Sequence, residues 1–178
     1  MEQTIVMDSQ LKLETPLWNF AIQLWQNTDA QRILLGWQNK YQTRVNSCLS
    51  ALWIARENIS ATGLGEAINA SETWHQEQVR PLRQLRKALD TNPTLEEHQQ
   101  HLLKAEISAE QFELAYLYQH IMNRQDKTRS NKGINYSELA DTLLKQVLGD
   151  DLAKLEAKNI EQLILCSQAS AIIESSFS

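Results

Sequence analysis

At 178 residues, with 42% hydrophobic and 22% charged side chains, the chain has the size and composition of one globular domain, which excludes a disordered or fibrous protein. Five glycines and three prolines leave long stretches without a helix breaker, so an all-α fold is expected. The net charge of −5 falls in the second half: residues 1–93 carry nine basic and nine acidic side chains, residues 94–178 eight against thirteen, a balance that disfavours a nucleic-acid-binding module.

No apolar run approaches the roughly 20 residues that span a bilayer, and the start, M-E-Q-T-I-V-M-D, lacks the basic and apolar regions of a signal peptide. Cys48 and Cys166 show no metal spacing and need not pair. A reduced, cytoplasmic setting without membrane attachment is therefore expected.

Residues 1–14 read as a flexible lead-in. Thr15-Pro16 is a helix start, an N-cap followed by proline at the first helical position. Leu17, Phe20, Ala21, Leu24 and Trp25 repeat at helical spacing to Gln26. Asn27-Thr28-Asp29 closes that helix and caps a second, from about Ala30 to Tyr41, with Ile33, Leu34 and Trp37 inward. Thr43 is the expected cap of a third helix, Arg44 to Asn58, whose apolar face is Val45, Cys48, Leu49, Leu52 and Trp53. Asn46 and Arg56 project onto that face, and a buried amide or guanidinium needs partners.

Ser60–Gly65 and Asp90–Pro93 are connectors on either side of the stretch where charge, aromaticity and a backbone signal coincide, Trp74 to Leu89. It holds Arg80, Arg83, Arg86 and Lys87 and no acid after Glu77. On a helix, Leu82, Leu85 and Leu89 form one stripe and Arg80, Arg83 and Lys87 another, with Arg86 nearer the leucines. Pro81 lacks an N–H and its ring clashes with the carbonyl four residues back, so the helix either kinks or begins there. A fresh start would offer free N–H groups to an anion; a bend would leave the arginines as a lateral stripe.

From Leu95 to about Met122 a long helix is expected, with an interruption near Ser108 left open. Leu103, Ile107, Leu114, Leu117 and Ile121 share a face with Glu110, which is flanked by Glu106 and Glu113. An ionised carboxylate on an apolar face is costly without a partner. The arginine stretch is the obvious supplier, so the two helices should pack together with Glu110 paired to one arginine. Two readings compete. One is an ion-pair network that sets helix register. The other is a polar pocket walled by Trp53 and Trp74, whose arginines hold a ligand carboxylate or phosphate.

Residues 124–134 read as a polar loop. A further helix starts at Asn135 or Ser137 and stops at Gly149, and a last one runs from Ala153 or Asn159 to Ile173, carrying Leu155, Ile160, Leu163, Ile164 and Ile172. These helices, 135–178, either close a core spanning 15–123 or present a surface to a partner. Six or seven helices in a compact bundle are expected in all.

His98 and His101 beside Glu96 and Glu97 are a metal edge without a third ligand at a diagnostic spacing, so no metal is expected. No nucleophile elbow, Walker loop or Rossmann glycine pattern occurs, so neither a cofactor nor a reaction is indicated.

The blocks L17-W-N-F20, V45-N46 with Leu49 and Trp53, and W74 followed by V79-R-P-L-R83-Q-L-R86 resemble a family of small, uncharacterised proteobacterial proteins, a domain of unknown function. The resemblance covers roughly residues 15 to 115, with three separated blocks in matching order and spacing. Arg44 stands where the family commonly has an acid, Cys48 and Ser50 replace larger apolar residues, and Lys87 replaces an arginine. The resemblance implies a bacterial cytoplasmic helical protein and adds no activity.

Three functions follow. The preferred one is a non-enzymatic interaction or regulatory protein that binds a protein partner or a second copy of itself through the helical surface near Arg80–Lys87 or the C-terminal helices. The alternative is a protein or enzyme that takes a small anionic ligand at Asn46, Trp53, Trp74, Arg80, Arg83 and Arg86, with Glu110 a structural ion-pair residue. RNA or ribosome contact through the basic stretch is a third, weaker reading.

Overall fold

The computed structural model describes residues 11–89, 93–125 and 134–175, with side chains described as far as residue 169. The lead-in before residue 11, most of the Asp90–Pro93 connector and of the 124–134 loop, and the side chains of Ile172 and Ile173 lie outside the described residues.

The fold is all-α. The first two helices begin on local caps. Thr15 Oγ1 accepts the Trp18 N–H at 3.1 Å to start α1 (Pro16–Trp25). Asn27 Oδ1 accepts the N–H groups of Asp29 and Ala30, each at 3.0 Å, to start α2 (Thr28–Tyr41). The third helix, α3 (Val45–Glu57), differs from expectation at its start. Arg44, not Thr43, is the N-cap, and it makes no side-chain capping bond. Its guanidinium is engaged elsewhere, as described below.

Every residue of α3 from Val45 to Ala55 is buried. A helix covered all round must be the centre of its bundle, and α3 packs against α1, α2, the long helix and the C-terminal helices. Its small polar residues permit this close approach. Ser50, for example, returns its hydroxyl to the Asn46 carbonyl at 2.8 Å.

After α4 (Leu64–Ala70), helix α5 runs through residues 72–88 in three registers: Glu72–Trp74 is α-helical, His75–Val79 is one π turn, and Arg80–Ala88 is α-helical again. The Arg80 N–H reaches back five residues to the His75 carbonyl. In a regular helix the ring of Pro81 would strike the Glu77 carbonyl, and the wider π turn just ahead of it absorbs that conflict. The helix therefore passes through Pro81 without a fresh start, and the arginines form a lateral face rather than a free helix N-terminus.

A 3₁₀ turn (Pro93–Leu95) leads into α6 (Glu96–Asn123), a helix of 28 residues that continues through Ser108 without a break. Helix α5 packs along it. Of the leucine stripe on α5, Leu85 is 56% exposed, while Arg83 and Arg86 turn toward α6. Both arginines meet the acid row of α6.

Helices α7 (Tyr136–Leu148), α8 (Asp150–Leu155) and α9 (Ala157–Ser175) complete the described fold, with α7 against α3 and α9 against α2. Asn135 caps α7 through the Glu138 N–H at 3.0 Å, and Gly149, at φ 81°, takes a conformation that other residues rarely adopt between α7 and α8. The nine helices among the described residues exceed the six or seven expected because the short α4 and α8 are separate elements. Among the described residues no helix is long and apolar enough to cross a membrane.

Candidate functional site

Glu106, Glu110 and Glu113 are spaced four and three residues apart, which puts all three on one face of α6. Like charges at that spacing repel, so their partners decide whether the face is tolerable. Those partners come from two other elements, the start of α3 and α5.

Glu113 is fully buried. One oxygen accepts from Arg44 Nη2, and the other from Asn46 Nδ2 at 2.7 Å. His75 Nδ1 lies 3.1 Å from Oε1. Burial alone would push this carboxyl up; His75 and Arg44 together outweigh burial and hold it below the usual carboxylate range.

Arg44 also donates through Nη1 to the Ile68 carbonyl (3.0 Å) and Glu72 (2.8 Å), and through Nη2 to Ser71 Oγ (2.6 Å). It thus ties the start of α3 to the α4–α5 junction. A cation at a helix N-terminus opposes the macrodipole, and the buried acid of α6 is what makes it stable there.

Arg83 bridges two acids, with Nε on Glu106 Oε1 at 2.8 Å and Nη2 on Glu110 Oε1 at 2.5 Å. Arg86 Nε donates to the other oxygen of Glu106 at 2.6 Å. Glu110 is the least compensated of the three. Burial pushes its carboxyl up, and the charge of Arg83 offsets this only in part.

Two cavities flank this network. The first, of about 580 Å³, is largely apolar and lies between α1, α2 and α6. Trp18, Trp25, Leu35, Leu103 and Ile107 wall it, with Asn46, Arg86, Glu106 and Glu110 on its polar side. The second, of about 400 Å³, is polar and lies over α5. Arg44, Arg80, Arg83 and Lys87 line it together with His75, Glu72 and four glutamines.

The candidate residues therefore separate. Asn46 is buried, donating also to the Glu110 carbonyl at 3.2 Å. Arg83 and Arg86 are taken up by carboxylates. Arg80 is exposed, with Gln76 at 3.0 Å as its partner among the described residues, and Lys87 Nζ meets Asn39 Oδ1 at 2.5 Å. Among the described residues neither Arg80 nor Lys87 has a carboxylate partner.

Trp53 and Trp74, the expected pocket walls, are placed elsewhere. Trp53 is buried in the core against Tyr118, ring centroids 5.3 Å apart. Trp74 lies over Phe112 at 4.0 Å and spends its N–H on the Ala109 carbonyl at 2.9 Å. Neither lines either of these two cavities. Trp18 and Trp25, one face of α1, take that role, because α1 and not α5 supplies the outer wall of the apolar cavity. Arg56, the other polar residue projected onto α3, lies over the Phe20 ring at 5.5 Å and donates to Gln23 at 3.4 Å.

Sequence reasoning missed Arg44, His75 and Gln38. A cation in the first position before a helix, with no acid nearby in sequence, is a signal that a distant carboxylate must be close. The W74-H75 pair and Gln38 carry no such mark. The Cys48 thiol is buried and pushed up to about 12, which leaves it inert as a nucleophile. Among the described residues no group of three or more His, Cys, Asp or Glu could hold a metal ion.

A family model described as a protein of unknown function (DUF2390) matches residues 16–117. Both cavities and the whole ion-pair network fall inside that span. No curated protein and no solved structure matches the chain.

Proposed function

The chain belongs to the DUF2390 family, whose function is unknown, and on that premise we propose that it is a small-anion-binding protein with its site in the polar cavity over α5. The observation that carries this reading is the division of labour among the cations. Arg83 and Arg86 neutralise the acids of α6, whereas Arg80 and Lys87 reach the same cavity with no carboxylate partner among the described residues. A carboxylate or phosphate placed there gains charge-assisted bonds that no side chain in the described protein supplies. His75 lines the same cavity with Nδ1 committed to Glu113, which leaves Nε2 to meet a ligand. The cytoplasm is the compartment this reading assumes.

Calorimetric titration with inorganic phosphate and with acetate tests it. Saturable binding that weakens with added salt is expected, and Arg80→Gln combined with Lys87→Gln should weaken it at least about tenfold, since a hydrogen bond to a charged group contributes about 1.5–3 kcal/mol. Both side chains are exposed, so the double variant should fold. Equal affinity in the double variant, or no binding to the unaltered protein, would sink the reading.

A protein partner is the second reading. It is favoured by Leu85, Leu155 and Leu165, which keep more than half of their surface in solvent on α5, α8 and α9. Under this reading sedimentation velocity shows a self-association that Leu165→Glu abolishes; a monomer at every concentration removes the homo-oligomer form of it.

A further inference from the structure

The two cavities adjoin, and the residue that lines both is Gln38. Its side chain is an anomaly. Gln38 is only 8% exposed, yet among the described residues its amide makes no hydrogen bond. A primary amide brings two donors and a two-lone-pair acceptor, and here no protein group among the described residues meets them. The amide is not sealed away from solvent space, as the buried, partnerless Arg44 Nε is. It stands instead at the junction between a cationic compartment and an apolar one.

The compartments differ in chemistry. On the α5 side the groups without carboxylate partners are cationic. On the α1 side Trp18 and Trp25 are half-buried, and Ile22, Leu35 and Ile107 stay exposed at the rim. The charged groups of that groove are Arg86, Glu106 and Glu110, which belong to the ion-pair network, so it has no cation to offer an anion. An anionic head fits only one side, and an apolar body only the other.

We infer that the ligand is an amphipathic anion: a carboxylate or phosphate head held by Arg80 and Lys87, an unbranched apolar chain in the groove between α1 and α6, and the Gln38 amide bonded to the ligand where head and chain meet. This rests on the anion-binding reading and adds the chain to it.

The test is calorimetric titration of the full chain with acetate, hexanoate and decanoate below their micellar concentrations, with inorganic phosphate and decanol as controls. Affinity should rise about twofold to fourfold per methylene, making decanoate at least about a hundredfold tighter than acetate. Leu35→Gln, a neutral change at a rim position already open to solvent, should reduce the dependence on chain length and leave phosphate binding unchanged. The Arg80→Gln, Lys87→Gln double variant should weaken phosphate and decanoate alike. Phosphate binding with no dependence on chain length would overturn the amphipathic ligand and leave the anion site standing. No binding of phosphate or of any carboxylate would remove the anion site itself. Decanol binding as tightly as decanoate would show that the head contributes nothing and overturn the inference. Cosedimentation with phosphatidylglycerol vesicles would assign the same head-and-chain chemistry to a membrane lipid; binding of decanoate without cosedimentation would assign it to a free amphiphile.

Discussion

Glu113→Ala is expected to lower the stability of the chain by about 3–5 kcal/mol, the cost of removing the buried acid from a charge network and leaving Arg44 with the half-exposed Glu72 in its place. Three groups lose an acceptor at once: Arg44 just before α3, Asn46 in the first turn of α3, and His75 in the π turn of α5. The loss should appear in urea denaturation as a lower midpoint with an unchanged slope. A change under about 1 kcal/mol would mean that Arg44 finds solvent and that the three elements do not depend on this junction.

Glu110→Gln should behave differently, staying within about 1 kcal/mol of the unaltered protein, because it removes a desolvated charge while Arg83 keeps Glu106. The two carboxyls also oppose each other in their response to pH. Glu113 is held below the usual range, so the unfolded chain binds more protons than the folded one. Its contribution is complete above the unfolded pKa and is lost as the pH falls from there through the folded value. Glu110 is raised, so the folded chain holds its proton to higher pH and gains relative stability as the pH falls through that value. The acid limb of a stability-against-pH curve should therefore flatten in Glu113→Gln and steepen in Glu110→Gln.

Trp37→Ala should cost a comparable 3–5 kcal/mol, by roughly the amount that opening a large core cavity removes. Trp37 is among the largest fully buried side chains, and its indole also ties two parts of the chain together. Nε1 donates to Glu156 Oε2 at 2.9 Å, Tyr41 donates to Oε1 at 2.6 Å, and Asn159 donates to Oε2 at 2.5 Å. Glu156 sits between α8 and α9, so α2 anchors the C-terminal helices through this one carboxylate. The hydrogen bond from Tyr41, followed by those of Asn159 and Trp37, holds the Glu156 carboxyl below the usual range. A fall in Tm of about 8–15 °C follows from a loss of this size in a chain of this length. Trp37→Phe keeps most of the volume and gives up the bond, so its cost should be about 1–2 kcal/mol. Equal effects of the two variants would show that the Glu156 bond, and not the packing, carries the contribution.

The legible features are the local ones. Thr15, Asn27 and Asn135 cap the helices that follow them because the bonds they make close over two or three residues. The acid row of α6 was readable from spacing alone, and with it the need for cations nearby. The all-α fold follows from the scarcity of glycine and proline and from the helical period of the apolar residues.

Which cation meets which acid was not legible. Arg44 and Glu113 are 69 positions apart and His75 and Glu113 are 38 apart, and no local rule relates them. Their meeting depends on how α3, α5 and α6 are rotated about their axes, and a single π turn ahead of Pro81 resets that rotation for everything after it. The same rotation turns Arg83 and Arg86 onto the acids and leaves Leu85 outside. It also leaves Arg80 and Lys87 facing a cavity. Trp18 and Trp25 wall the apolar cavity while Trp53 and Trp74 line neither of the two cavities, because Trp53 packs on Tyr118 and Trp74 on Phe112 whereas α1 leaves space against α6. The sequence by itself determined the helices, their caps and the charge each face must carry, since these depend on neighbours a few residues away. Tertiary structure alone decided which charges cancel and which remain for a ligand, since that depends on helix rotation and packing across the whole chain.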